Sequence, residues 1–388
     1  MKRLLLPIIL FLSFGCSEES VYLTSSPCND SPAEISWEST ETYTLNIPDS
    51  ASTFMYHRQL ITSDSAPVYA YTDLSGKCIY FFNLDSGNFL RKVCIDDFRY
   101  KKIKNFFVHN EDSIFVAVAD FEILLLNKNG ERINKWDINN YLELDESRQG
   151  YHINSFSQHL FFNDEYGELH FTMRSIQLWD GKDVNKQALK LRMAINLSKN
   201  SAKLYGGYEE IYLDQTKGAS YPVSHEVAEV LNVGNTAYFS FPISHNIYSW
   251  ETPKNVRAGK FCATSSFIRT LPNLLPPDAE SQESINFQIA QPYYGELFYH
   301  SELDVFSRIV LHEIPLHKPD GKLNNPNNRG KSIILFDRNM TLLGEVEIED
   351  DELQLWGGIA HATPDGLIIT KISTSENQKQ FVKIKFQL

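Results

Sequence analysis

The chain has 388 residues, a formal charge of -13, 22% charged and 42% hydrophobic residues, and 13% aromatics that include 19 Tyr and 25 Phe. So acidic a chain is repelled by nucleic-acid phosphates and anionic lipid heads, which excludes both as partners through charge. The aromatic content favours strands over helices.

The first segment has three parts: Lys2 and Arg3, then mostly apolar residues from Leu4 to Phe14, then Gly15-Cys16. This is the order of a secretory signal, too short to span a bilayer, which needs about 20 apolar residues. A cysteine directly after the apolar stretch resembles a bacterial lipobox, whose thiol is acylated once the peptide before it is cut. The resemblance predicts a signal over 1–15 and lipid attachment at Cys16. Ser17-Glu18-Glu19 is similar to the acidic surface-export signal that follows the lipidated cysteine in lipoproteins of Bacteroidetes type. It implies an outer-membrane anchor and a cell-surface location, with the periplasmic face as the alternative. Losing Lys2 and Arg3 with the signal takes -13 down by two, to -15.

From Cys16 to Thr40 the chain is acidic and serine-rich, with Glu18, Glu19, Asp30, Glu34 and Glu38 and no base. Such a composition cannot bury enough apolar surface to offset its ordering entropy, so 16–40 is read as a flexible tether. The domain is then 41–388.

Beyond the tether, apolar strand, tight turn and second strand recur. "IYFFNLDSGNFLRKVCI" (Ile79 to Ile95) and "ILLLNKNGERINKWDI" (Ile123 to Ile138) are the clearest pair, each with an Asn/Asp/Gly turn. Comparable strands begin near Leu191, Ile247, Ile333 and Phe381. Units counted from about 55, 103, 151, 222, 286 and 352 predict an all-β, six-bladed β-propeller. The last unit, "ATPDGLIITKISTSENQKQFVKIKFQL", is one strand short. "YTLNIP" at Tyr43 to Pro48 is the free strand that would complete it and close the ring.

Blade pattern, lipobox and acidic tether together resemble the six-bladed, NHL- or TolB-like propeller lipoproteins of Bacteroidetes, a family of unknown function. "DVFSRIVLHEIP" at Asp304 to Pro315 is similar to a strand recurring in one such family. The resemblance transfers no catalytic residues.

Motifs of chemistry are sparse. There is no Gly-x-Ser-x-Gly elbow, no phosphate-binding P-loop and no Gly-x-Gly-x-x-Gly. His312-Glu313 and His317 have the wrong spacing for a zinc helix, and Pro315 would break one. Asn163 to Glu168 lacks the alternating ligands of a calcium loop and reads as a hairpin turn. No cofactor and no metal is expected.

Cys78 and Cys94 flank Asp85-Ser86-Gly87 symmetrically, so antiparallel pairing would place them opposite each other, at the separation a disulfide needs in an exported protein. Buried free thiols are the alternative. Cys28 and Cys262 have no evident partner. Ser50, Ser65 and Ser113 lie in Asp-Ser-apolar triplets that resemble O-glycan acceptor sites of exported Bacteroidetes proteins.

Propellers bind at the channel mouth. The residues expected there are Tyr56, His57, Arg58, His152, Asn154, Tyr221, His225, Tyr293, Tyr294, Trp356 and His361, with aromatics for sugar rings or peptide side chains and His or Arg for anionic groups. Three readings follow: a non-catalytic recognition module for an envelope protein or glycan, expected as a monomer that meets the membrane only through its lipid; an extracellular hydrolase or lyase; and a structural envelope subunit. Clustering of His57, His152, His225 and His361 would favour the enzyme, and a broad apolar face the structural subunit.

Overall fold

A computed structural model describes residues 35–62, 66–73, 75–95, 99–143, 150–154, 160–175, 189–208, 225, 227–268, 271–272, 275, 281–350, 352–354, 360–372, 375 and 377–388. Strand β1 (Ser36–Asn46) comes first. Blade 1 is β2 (Arg58–Ile61), β3 (Val68–Thr72), β4 (Cys78–Asn83) and β5 (Phe89–Cys94), and blade 2 is β6 (Asn105–Asn110), β7 (Ser113–Ala117), β8 (Glu122–Leu126) and β9 (Arg132–Asp137). In blade 3 the inner position is split between β10 (Tyr151–Ile153) and β11 (Phe161–Asn163), both paired to β12 (Glu168–Ser175), followed by β13 (Arg192–Asn196) and β14 (Ser201–Tyr205). Blade 4 is β15 (Glu229–Val233), β16 (Thr236–Ser240), β17 (Asn246–Glu251) and β18 (Val256–Cys262). Helix α1 (Ser281–Ala290) precedes blade 5, which is β19 (Tyr293–His300), β20 (Val305–Leu311), β21 (Lys331–Asp337) and β22 (Leu342–Glu347). Blade 6 has β23 (Leu353–Gln354) and β24 (Ala360–Thr363) on β25 (Gly366–Lys371), then β26 (Gln378–Gln387), with β1 outermost.

Each middle strand is covered on both faces, which is why it reads as a continuous apolar run rather than an alternation. In blade 1, Tyr69, Tyr71, Tyr80 and Phe82 turn toward Leu45, Ile368 and Phe381 of blade 6. Ala70, Ile79, Phe81 and Val93 turn the other way, onto Phe106, Ile114 and Val116 of blade 2. The remaining core clusters likewise fill the seams between consecutive blades. The core is therefore a ring of inter-blade seams.

The seam between blades 4 and 5 holds a buried cation. Arg308 of β20 is fully covered and donates to Ser240 Oγ (2.9 Å) and to the carbonyls of Phe241 (2.9 Å), Ser244 (2.9 Å) and Ala263 (3.4 Å). Its guanidinium lies 3.7 Å from the centroid of the Tyr294 ring. Arg308 belongs to the "DVFSRIVLHEIP" stretch, whose chemistry here is inter-blade stapling.

β1 closes the ring as a strand of the last blade, but its bounds correct the expectation. It runs from Ser36 instead of Tyr43, so residues assigned to the tether join the sheet, with Ser36–Ser39 paired to Ile384–Gln387 and a bulge at Thr40. The partner strand explains it: Glu38 lies opposite Lys385 and Glu41 opposite Lys383, so acids that read as solvated face bases. Trp37 packs on the blade 5–blade 6 core and donates its indole N–H to the Glu347 carbonyl at 3.1 Å. Where β1 crosses blade 1, Asn46 N–H bonds the Gly87 carbonyl at 2.9 Å, and a Cβ on Gly87 (φ +68°) would collide with the Thr44 carbonyl.

Cys78 and Cys94 face each other across β4 and β5 and form a disulfide, with Cα atoms 4.0 Å apart. Closing a loop of 16 residues restricts the unfolded chain by about 3 kcal/mol in the chain-entropy account. The double variant C78S/C94S should lose about that much in urea denaturation, and an unchanged midpoint would show that the bond does not constrain the unfolded chain. Among the described residues no helix is long and apolar enough to cross a membrane.

Candidate functional site in the central channel

The innermost strand of each blade faces the ring axis, and four of these strands bring charged or polar side chains together. Arg58 opens β2, Glu229 opens β15, Glu296 lies in β19 and His361 in β24. Glu296 feels both Glu229 of blade 4 and Arg58 of blade 1, although blades 1 and 4 are opposite members of the ring. Arg58 also acts on His361 and on Lys379 of blade 6. All four inner-strand residues keep partial exposure, as side chains lining a channel do.

A bulge aims Glu296. The register of β19 against β20 breaks between Tyr294 and Leu297, leaving Gly295 and Glu296 outside the ladder. Such an insertion bends the strand and re-aims a side chain. Gly295 suits the close approach, since a Cβ there would sit 3.2 Å from Ile309 Cβ. Burial, reinforced by Glu229 and opposed by Arg58, raises the Glu296 carboxyl to about 8, so it is largely protonated at neutral pH. His361 Nε2 is 3.2 Å from Tyr69 Oη, and burial, with Arg58 nearby, lowers the ring to about 3 and keeps it neutral. The channel thus brings together a guanidinium, two carboxyl groups, of which burial raises Glu296, and a neutral imidazole.

His57, beside Arg58, is buried, and among the described residues neither of its ring nitrogens has a hydrogen-bond partner. Burial first, then Arg58 and Lys102, lowers it to about 3. Unmatched buried nitrogens carry a cost that a bound polar group would offset. Tyr56 stands edge-on to His57 at 4.6 Å, with the Lys102 ammonium 5.4 Å from its ring centroid.

The other residues expected at the mouth divide among different neighbourhoods. His152 lies opposite Arg174, with its imidazole lowered chiefly by burial, and Asn154 is buried just beyond β10. His225 packs edge-on against Phe287 (5.2 Å) and Tyr293 (4.8 Å) under α1. Arg329, over the Tyr293 ring at 5.2 Å, donates to the Gln288, Ile289, Gln291 and Pro326 carbonyls and so caps the end of that helix. Tyr294 corrects the expectation: its hydroxyl is 2.6 Å from His245 Nδ1 and accepts from Ser265 N–H at 3.1 Å, while its face carries Arg308, so it is seam packing. Consequently the four histidines have separate partners: Tyr56 for His57, Arg174 for His152, the α1 underside for His225 and Tyr69 for His361.

Cys16, Ser65, Tyr221 and Trp356 lie outside the described residues. Ser50 is exposed between β1 and β2, whereas Ser113 is half-buried at the start of β7. His312 Nε2 is 2.9 Å from Ser332 Oγ and its ring stacks on Phe267 at 4.1 Å, and no metal-binding group is present among the described residues. Residues 164–167 form the β11–β12 turn.

Sequence reasoning missed Glu229 and Glu296. A signal for the second was available: the glycine inside the aromatic strand "YYGELFYH" marks a bulge, and the acid after it sits where a core residue would be expected.

Six four- or five-stranded antiparallel sheets around a polar channel define a six-bladed β-propeller. Residues 100–347 match the family described as a domain of unknown function, DUF4221, and the chain belongs to that family. A crystal structure of a DUF4221 member from Bacteroides vulgatus is similar, with a TM-score of 0.68 and 14% identity over 91% of this chain and 99% of that one. A putative exported protein from Bacteroides fragilis is similar at a TM-score of 0.54 and 13% identity, over 91% of this chain and 96% of that one. No curated protein sequence matches the chain.

Proposed function

We propose that the protein is an exported, lipid-anchored recognition module that binds a polar ligand of the cell envelope, a glycan or a segment of an envelope protein, at its central channel. The observation that carries this reading is the meeting of Arg58, Glu229, Glu296 and His361 from four inner strands. A protonated carboxyl both donates and accepts, a neutral imidazole does the same, and Arg58 supplies a fork for carboxylate or sulfate-like groups. Such a set recognises hydroxyl-rich or mixed-charge ligands. Export is supported by the signal-like first segment and by the Cys78–Cys94 disulfide, which suits an oxidising compartment.

One observation favours a second reading. A carboxyl raised by burial beside a second acid is also how a hydrolase prepares a general acid, so Glu296 could serve an extracellular hydrolase or lyase. A structural subunit is less well supported, because large exposed apolar residues such as Leu90, Ile133 and Val256 lie on three different blades, 1, 2 and 4.

The test is affinity capture of the full chain from gently solubilised membranes, with Arg58→Ala and Glu296→Gln alongside. The recognition reading expects one stoichiometric partner or glycan, at least tenfold less of it on Arg58→Ala, and no turnover. Equal capture by Arg58→Ala would remove the channel from the account. Turnover abolished by Glu296→Gln would replace recognition with catalysis.

A further inference from the structure

Three short stretches of this acidic chain meet where blades 1 and 2 begin: residues 56–58 leading into β2, 75–77 before β4 and 99–104 before β6. Backbone bonds fix them in place. The Tyr56 N–H donates to the Thr72 carbonyl at 2.7 Å, the Thr72 N–H to the His57 carbonyl at 2.8 Å, and the Ile103 N–H to the Gly76 carbonyl at 2.5 Å. Together the stretches carry Arg58, Lys77, Arg99, Lys101, Lys102 and Lys104 and no acid. Two acids beside them are already engaged: Asp73 Oδ1 accepts from Ser75 Oγ at 2.5 Å and from Gly76 N–H at 3.1 Å, and Asp120 pairs with Lys104. Among the described residues no carboxylate pairs with Lys77, Lys101 or Lys102, and all three are exposed.

His57 lies just behind this rim. The Lys102 ammonium is 5.4 Å from the Tyr56 ring centroid, that ring stands edge-on to His57 at 4.6 Å, and Lys102 and Arg58 both act on the imidazole. His57 is 3% exposed, and among the described residues neither ring nitrogen has a partner. A buried imidazole N–H without an acceptor, set between an ammonium and a guanidinium, is matched best by an anionic oxygen.

The geometry points to an anion subsite at this rim, in which Lys102, Arg58 and His57 hold the carboxylate or sulfate of an acidic sugar. The inference rests on the channel reading above and names a ligand class for it: the anionic group sits at blades 1 and 2, and the neutral remainder of the glycan reaches Glu229, Glu296 and His361. Tyr56 covers His57, so its ring turns aside as the anion draws the Lys102 ammonium off its face. The net charge of -13 does not oppose this, since exposed charges more than about 8 Å apart are largely screened at physiological salt and the local balance is basic. It does restrict the ligand. An extended polyanion meets the acids elsewhere on the ring, whereas one acidic sugar in a neutral glycan meets only the rim.

The test titrates the full chain with a trisaccharide ending in glucuronate, with its methyl ester and with a sulfated counterpart. Binding of the glucuronate or the sulfated form is expected, and which of them binds more tightly identifies the anionic group. The ester should bind about tenfold more weakly, and Lys102→Ala should weaken the charged form by about as much, with Lys102→Arg restoring it. In spectra of 15N-histidine-labelled protein the charged sugar should shift the ring nitrogens of His57. His57→Phe should keep the urea midpoint at or above wild type while losing affinity, because it removes nitrogens that the fold itself leaves unmatched. No binding of either charged form, equal affinity for acid and ester, or equal affinity of Lys102→Ala and wild type would overturn the inference. Loss of binding in Arg58→Ala but not in Lys102→Ala would leave the channel reading standing and remove the rim subsite, whereas binding unchanged in both would remove the two together.

Discussion

Replacing Arg308 with alanine should cost the fold about 4 kcal/mol, seen as a large drop in the urea midpoint. The guanidinium satisfies one hydroxyl and three carbonyls in a seam from which water is excluded, and each acceptor left unmatched costs about 1–3 kcal/mol. Arg308→Lys should recover little, because one ammonium cannot reproduce a planar fork that also lies on the Tyr294 face. Arg308→Met fills the volume and leaves the acceptors unpaired, so it should fall between alanine and wild type. A midpoint for Arg308→Ala within about 0.5 kcal/mol of wild type would mean that blades 4 and 5 are held by apolar packing alone.

The second large effect is acid unfolding. His57, His225 and His300 are buried, and burial lowers them to about 3, 3 and 4 from 6.5. Above pH 6.5 they are neutral in both folded and unfolded chains and contribute nothing to pH dependence. Below 6.5 the unfolded chain takes up protons that the fold refuses, so stability falls as pH drops toward 4. Each histidine contributes a slope of about 1.4 kcal/mol per pH unit, so three together give roughly 4. Glu296 acts at the other end. Its raised carboxyl favours the fold below the ordinary carboxyl range, and that advantage is lost as pH rises toward 8. Melting temperatures followed across pH 4 to 8 should therefore fall steeply on the acid side and gently on the alkaline side. A flat acid limb would mean that the three imidazoles reach water in the native state.

The ring was legible because its middle strands are buried on both faces. Runs such as "ILLL" and "SIILF" between Asn/Asp/Gly turns mark the hairpins, and their repetition gives the blade count. The start of β1 was hidden, because Glu38 and Glu41 look like solvent-facing acids until Lys383 and Lys385 of β26 are set opposite them, some 340 residues away in sequence. The candidate site was half legible. Arg58 and His361 could be placed at inner-strand entries by counting blades, but Tyr294 could not be told from a channel residue until Arg308 was seen against its face. Glu296 escaped because its direction depends on a one-strand bulge, whose single sign in the sequence is Gly295 within an aromatic strand.

The measurement closest to the central claim is hydrogen exchange of the full chain with and without the captured envelope ligand. The account predicts slowed exchange in Arg58–Ile61, Glu229–Val233, Tyr293–His300 and Ala360–Thr363, the inner strands that bring the four channel residues together. Protection confined to outer strands such as Phe89–Cys94 and Val256–Cys262, with the inner strands unchanged, would place recognition on the rim and contradict the channel as the binding site.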